Sequence, residues 1–109
     1  MKVPWGPICE KIDNAISGLP TVWMTPESIY NWPRYLDYDK EYKAVPHYHS
    51  DPVQCSTAVD LFRGMGWYIF TGKHDGGYRV NVMTPEGNQS TAFCETLEQA
   101  IVIALYLAL

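Results

Sequence analysis

The most metal-like spacing in the chain is His47-x-His49-x-Asp51. Imidazole nitrogens and a carboxylate suit zinc or iron. In extended backbone alternate residues point the same way, so the three side chains could converge. The same residues also have structural roles open to them. Asp51 precedes Pro52 and is placed to cap a helix, and His47 can hydrogen-bond a backbone group. The structural roles are the stronger reading, and no metal is assigned.

Cys9, Cys55 and Cys94 are the other groups with reactive potential, since a thiol beside a histidine can act as a nucleophile. Cys55 falls on the apolar stripe of a helix and Cys94 at a strand end, where buried, inert thiols are the ordinary case. No catalytic residue and no cofactor are assigned, and the chain reads as a non-enzyme. The odd cysteine count and the lack of a C-x-x-C pair disfavour a disulfide framework or a zinc ribbon and point to a reducing compartment. Gly72-Lys73-His74-Asp75-Gly76-Gly77 has glycines like a phosphate loop, but it lacks the Walker spacing and leads into a strand instead of a helix. It reads as a hairpin tip.

Binding is the better-supported chemistry. Arg79, Asn81, Gln89 and Thr91 or Ser90 could share one sheet face. With Trp67 or Tyr68 at its rim, such a face could hold a small anionic ligand on the forked donors of the arginine. A solvated face of an antiparallel sheet is the competing reading. Tyr30, Trp32, Tyr35, Tyr38, Tyr42 and Tyr48 are interleaved with Asp37, Asp39 and Glu41. Aromatic anchors in an acidic rim suit a protein partner or could stack a base; they could equally fold their own segment onto the domain. Ligand or partner contacts are therefore expected at Arg79, Tyr48, His47, His49, Trp67 and Tyr38.

These residues must be positioned by a small set of elements. Ile8, Ile12, Ala15, Ile16 and Leu19 recur at helical spacing, which predicts a helix over 8–19 that starts after Pro7 and ends at Gly18-Leu19-Pro20. Residues 21–24 could form a short strand. Thr25-Pro26-Glu27-Ser28 resembles a helix start that Pro33 would end, and 35–43 reads as an irregular loop. Asp51 and Pro52 open a helix over 51–64, with Cys55, Ala58, Val59 and Phe62 inward and Gly64 and Gly66 after it. A three-stranded meander is predicted at 67–71, 78–83 and 88–93, with turns at Asp75-Gly76-Gly77 and Thr84-Pro85-Glu86-Gly87. Thr96 and Gln99 form a capping box for a helix over 97–108. That helix is apolar all round, with Val102, Ile103, Tyr106 and Leu107 opposite its core stripe, so either the N-terminal segments or a second subunit must cover it. The N-terminal helix is expected to cover another face, and the remaining surplus to be partly buried in a homodimer through the 97–108 helix.

The fold class that follows is α+β: a three- to four-stranded antiparallel sheet packed with helices in an α/β/α layered sandwich, as one domain over 1–109. The 109 residues are 47% hydrophobic and 18% charged, which supports a core and argues against disorder. Eight basic and 12 acidic residues give a formal charge of -4, which disfavours general nucleic-acid binding. The start Met-Lys-Val-Pro-Trp-Gly-Pro has no apolar h-region, and the apolar run over 100–109 is too short to span a membrane.

From Val45 onward the chain runs through Val45-Pro46-His47-Tyr48, the helix opening at Ser50-Asp51, the strand start at Gly66-Trp67 and the closing Glu95-Thr96-Leu97-Glu98-Gln99-Ala100-Ile101. In this series it resembles the phage ABA sandwich domain family. The resemblance implies a small layered α/β domain encoded by phages or prophages, and brings no catalytic residue with it. With the acidity, the small size and the lack of a catalytic constellation, it leads to a non-catalytic accessory protein that binds and modulates a host factor in the bacterial cytoplasm. Its most concrete form is an anti-defence inhibitor. The alternative is an oligomeric sponge for a small nucleotide signal.

Overall fold

The structure, a computed structural model, describes residues 3–23 and 32–109. Its elements in chain order are α1 (Trp5–Ser17), β1 (Thr21–Trp23), β2 (Pro33–Leu36), β3 (Tyr42–Ala44), α2 (Pro52–Gly64), β4 (Tyr68–His74), β5 (Gly77–Met83), β6 (Gln89–Cys94) and α3 (Leu97–Ala108). Two antiparallel sheets result, β1-β2-β3 and β4-β5-β6, so the expected α+β class is the class found.

Local chemistry explains most boundaries. Asp51 caps α2 by accepting from the backbone N–H groups of Val53 (3.0 Å) and Gln54 (3.2 Å). Thr96 caps α3 by accepting from the N–H of Gln99. Helix α1 starts at Trp5, earlier than predicted, because Pro7 lies in the first turn, where a helix N–H has no partner to lose. It stops at Gly18, whose φ of 68° is the left-handed C-cap conformation.

The β4–β5 hairpin extends to His74 and turns through Asp75-Gly76. Gly77 opens β5 where a Cβ would sit 2.3 Å from the Cys94 carbonyl oxygen, so only glycine fits. Thr84 closes the next turn, accepting from Asn88 N–H through its hydroxyl at 3.0 Å and donating its own N–H to Asn88 O at 2.8 Å.

The β1-β2-β3 sheet takes in the stretch around 35–43 that was expected to be irregular. Pro33 begins β2, a tolerated place because the first residue of a strand can lack an N–H donor. The β2–β3 connection closes through the N–H of Asp37 on Glu41 O at 2.9 Å, with Lys40 at φ 64°. Lys43 bridges the carboxylates of Asp37 and Asp39 across its base. The helix start expected at Thr25–Ser28, and Tyr30, lie outside the described residues.

Helix α3 packs on β5 and β6 through Ala100, Ala104 and Leu105, against Val80, Val82 and Ala92. Its second side is covered within the chain. Helix α1 lies on it, Val102 is 1% exposed, and the Lys11 ammonium sits 5.0 Å from the Tyr106 ring centre. Of the two covers open from the sequence, α1 thus supplies one, and Leu107 is left at the surface. The small sheet leans on α1 through Thr21, whose hydroxyl donates to Glu10 at 2.8 Å. No helix among the described residues is long and apolar enough to cross a membrane.

Candidate functional site

The helices lie on one face of the β4–β6 sheet. Among the described residues no element covers the other face, and strand alternation decides what it shows. In β4, Ile69 turns into the core and Tyr68 and Phe70 turn out. In β5, Val80 and Val82 turn in and Arg79 and Asn81 out. In β6, Ala92 turns in and Thr91 and Phe93 out. Register then sets the rows: Tyr68–Met83–Gln89, Phe70–Asn81–Thr91 and Gly72–Arg79–Phe93. Tyr68, Phe70 and Phe93 are 56%, 62% and 53% exposed. Aromatic rings bury large apolar area on contact, so three left open on one face form a contact surface.

Between the first two rows lies a depression of about 280 Å³, lined among others by Phe70, Asn81, Met83, Gln89 and Thr91. The Thr91 hydroxyl donates to Asn81 Oδ1 at 2.7 Å, which orients the carboxamide and leaves its NH2 to donate elsewhere. In the third row Gly72 opposes Arg79 and offers no side chain, and the His74 ring stands 6.4 Å from that of Phe93. Among the described residues no carboxylate pairs with Arg79.

The other expected contact residues lie elsewhere. His47, Tyr48 and His49 form the connection from β3 to α2, against α1. His49 stacks on Trp5 (4.7 Å between centroids, 11° between planes), and His47 stacks on Trp32 (4.0 Å, 11°). The two imidazoles are 5.9 Å apart, each held by an indole, while Asp51 is committed to its cap. Among the described residues no group of three or more His, Cys, Asp or Glu side chains is placed to hold a metal.

Tyr48 is buried and donates its hydroxyl to Asp13 Oδ1 at 2.8 Å. Asp13 is 5% exposed, and its Oδ2 has no partner among the described residues. Burial raises the Asp13 carboxyl and the Tyr48 phenol above their ordinary values. Cys9 Sγ lies 3.5 Å from His49 Nδ1, the pairing a nucleophile would use. Burial, however, pushes the Cys9 thiol up to about 11 and holds the His49 imidazole down, with His47 adding to the latter. Burial likewise takes Cys55 to about 12. Thiols so placed stay protonated at neutral pH and are poor nucleophiles.

Trp67 does not rim the Arg79 face. It turns inward and meets Phe62 edge-on at 4.8 Å, so Tyr68, the next residue, takes the rim. Tyr38 stands 86% exposed at the β2–β3 turn, outside the strands of the larger sheet. Of the six expected contact residues, the open face therefore holds Arg79. Its aromatic members Phe70 and Phe93 were not singled out in the sequence. The available signal was parity, since Tyr68 and Phe70 flank an inward Ile69.

A second hollow, about 200 Å³, lies between α2, the start of α3 and β4, and includes Cys55, Asp60, Arg63 and Glu98. Arg63 is committed there, donating to the Ile69 carbonyl at 2.8 Å.

No protein-family profile matches the chain, and no curated protein matches it in sequence. Among solved structures, the 2.0 Å crystal structure of a phage protein from Bacillus cereus ATCC 14579 superposes with a TM-score of 0.67. The two share 18% identity over 99% of this chain and 88% of that one, a likeness of fold.

Proposed function

We propose that the chain is a non-catalytic accessory protein of phage or prophage origin that binds a host factor on the open face of the β4–β6 sheet. It acts in the host bacterial cytoplasm, and its most concrete role is to blunt a bacterial defence system. The observation that carries the reading is the exposure of Tyr68, Phe70 and Phe93 on one sheet face beside an arginine with no carboxylate partner among the described residues. The fold shared with a phage protein supports the origin. The buried, protonated thiols and the imidazoles held by indoles support a binding role over a catalytic one.

The test compares wild type with a Phe70→Ser, Phe93→Ser double variant purified from phage-infected bacteria. Mass spectrometry of the protein and small-molecule fractions should find a host component with wild type and lose it with the variant. Both side chains are exposed, so the melting temperature should change little. Plating efficiency of the phage on a defence-bearing strain should fall in parallel. Equal recovery of every component by the folded variant refutes the reading.

A further inference from the structure

The open face narrows the class of ligand. Its depression has an aromatic wall, Phe70, and a floor of amide and hydroxyl groups from Asn81, Gln89 and Thr91. An exposed ring accepts any flat partner by stacking. Amide groups beside it read the edge of a planar ring that carries both donors and acceptors. Thr91 holds Asn81 by its oxygen, so the Asn81 NH2 is presented as a donor.

The next outward position on the same strand is Arg79, about 7 Å along β5. It pairs in register with Gly72 on β4, which has no side chain and over which His74 Nε2 stands 3.6 Å from where a Cβ would be, and it meets no carboxylate among the described residues. A free, forked donor set of this kind suits a phosphate. An aromatic wall, an edge-reading amide floor and a phosphate-suited cation thus lie in neighbouring rows of one sheet face.

Charge then sets the size of the ligand. The chain carries a net charge of -4, yet none of the residues in the three rows is acidic. Acids instead stand at both ends of the sheet, Asp75 and Glu95 at one and Glu86 at the other. One arginine matches one or two phosphates. A longer nucleic-acid strand would run onto the acids beyond.

We infer that the open face binds a small nucleotide, with its base against Phe70 over Asn81 and Gln89 and its phosphate on Arg79. The inference rests on the reading of this face as the binding surface and gives that surface a ligand class.

The experiment titrates the full chain, labelled with 15N, with the four ribonucleoside 5′-monophosphates and a cyclic dinucleotide, and separately with an eight-residue single strand. The side-chain amide signals of Asn81 and Gln89 should move with at least one small nucleotide. Phe70→Ser and Arg79→Gln should each weaken that nucleotide roughly tenfold or more. Val53→Ser, on the exposed side of α2, should leave it unchanged. The single strand should bind no more tightly than the small nucleotide.

The inference is overturned if no probe moves those amides at millimolar concentration, or if either face variant binds like wild type. It is also overturned if the single strand binds best and independently of Arg79, or if two chains close this face against each other in solution. Should every nucleotide fail while the Phe70→Ser, Phe93→Ser variant still loses its host component, the face remains a binding surface and only the ligand class falls. Should that variant keep the component, the reading of the face itself falls.

Discussion

Removing one oxygen from Tyr48 isolates the most exposed weakness of the core. The Tyr48 hydroxyl is the side-chain partner of Asp13 Oδ1, and Oδ2 already has none among the described residues. Tyr48→Phe therefore leaves a carboxyl that is 5% exposed with neither oxygen bonded by a side chain. A hydrogen bond to a charged group contributes about 1.5–3 kcal/mol, and a buried group left bare costs its desolvation as well. We expect a loss of about 2–3 kcal/mol at pH 7, or roughly 10 °C in Tm for a domain of this size.

The loss should depend on pH, and its direction follows from burial. Asp13 has a folded pKa above its ordinary 3.8, so the folded state holds the proton more tightly than the unfolded chain. Its contribution to stability is thus most favourable below pH 3.8, the ordinary value, and falls as pH rises through the folded value. Tyr48→Phe removes a bond that favours the carboxylate, so it raises the folded value further and deepens that fall. Urea melts of wild type, Tyr48→Phe, Asp13→Asn and the double variant between about pH 4 and 7 check this. The Tyr48→Phe deficit should grow with pH when Asp13 is present and lose that dependence when Tyr48→Phe is combined with Asp13→Asn. A deficit under about 0.5 kcal/mol, or one of equal size at every pH in both backgrounds, refutes the reasoning.

Other expectations are simpler. Gly77→Ala should cost about 3 kcal/mol in urea unfolding, because its Cβ meets the Cys94 backbone at 2.3 Å and backbone cannot swing aside. Leu107→Glu should change stability by less than about 0.5 kcal/mol, since that residue is 59% exposed, while Tyr106→Glu should destabilise by removing packing against α1. If light scattering shows instead an oligomer that Leu107→Glu dissociates, α3 has a partner after all. In thiol titration of the native protein at pH 7, Cys94 should react first, with Cys9 and Cys55 becoming reactive on unfolding.

The parts of the fold legible in the sequence were those fixed by short-range chemistry. Asp51-Pro52 and Thr96 cap the helices they were expected to cap, and the glycine turns bound the meander. Of the small sheet, the short strand expected at 21–24 is found as β1 over Thr21–Trp23, while β2 and β3 were not legible. Its strands are three or four residues long and interleaved with charge, so no period of two has room to show. Helix α3 displayed its excess of apolar surface and so its need of a cover, either the N-terminal segments or a second subunit, and α1 proved to lie on it.

The site was read by residue type. Histidines and the densest aromatics drew attention, and the structure uses His47, His49 and Tyr48 to fasten the β3–α2 connection to its neighbours, Tyr48 and His49 onto α1 and His47 onto Trp32. Phe70 and Phe93 escaped notice because a lone phenylalanine in a strand is ordinarily core. Register alone turns them outward.

The fastening of α1 has a consequence for how the chain is made. Its partners are Tyr48 and His49 and, above all, α3, which begins about eighty residues after Ser17. At roughly 5–20 residues per second, a ribosome delivers that partner several seconds to a quarter of a minute later. Throughout that interval Ile8, Cys9 and Ile12 have nowhere permanent to go. Helix α1 is thus made well before it is covered, and the nascent chain carries an apolar stripe that chaperones can hold until α3 arrives.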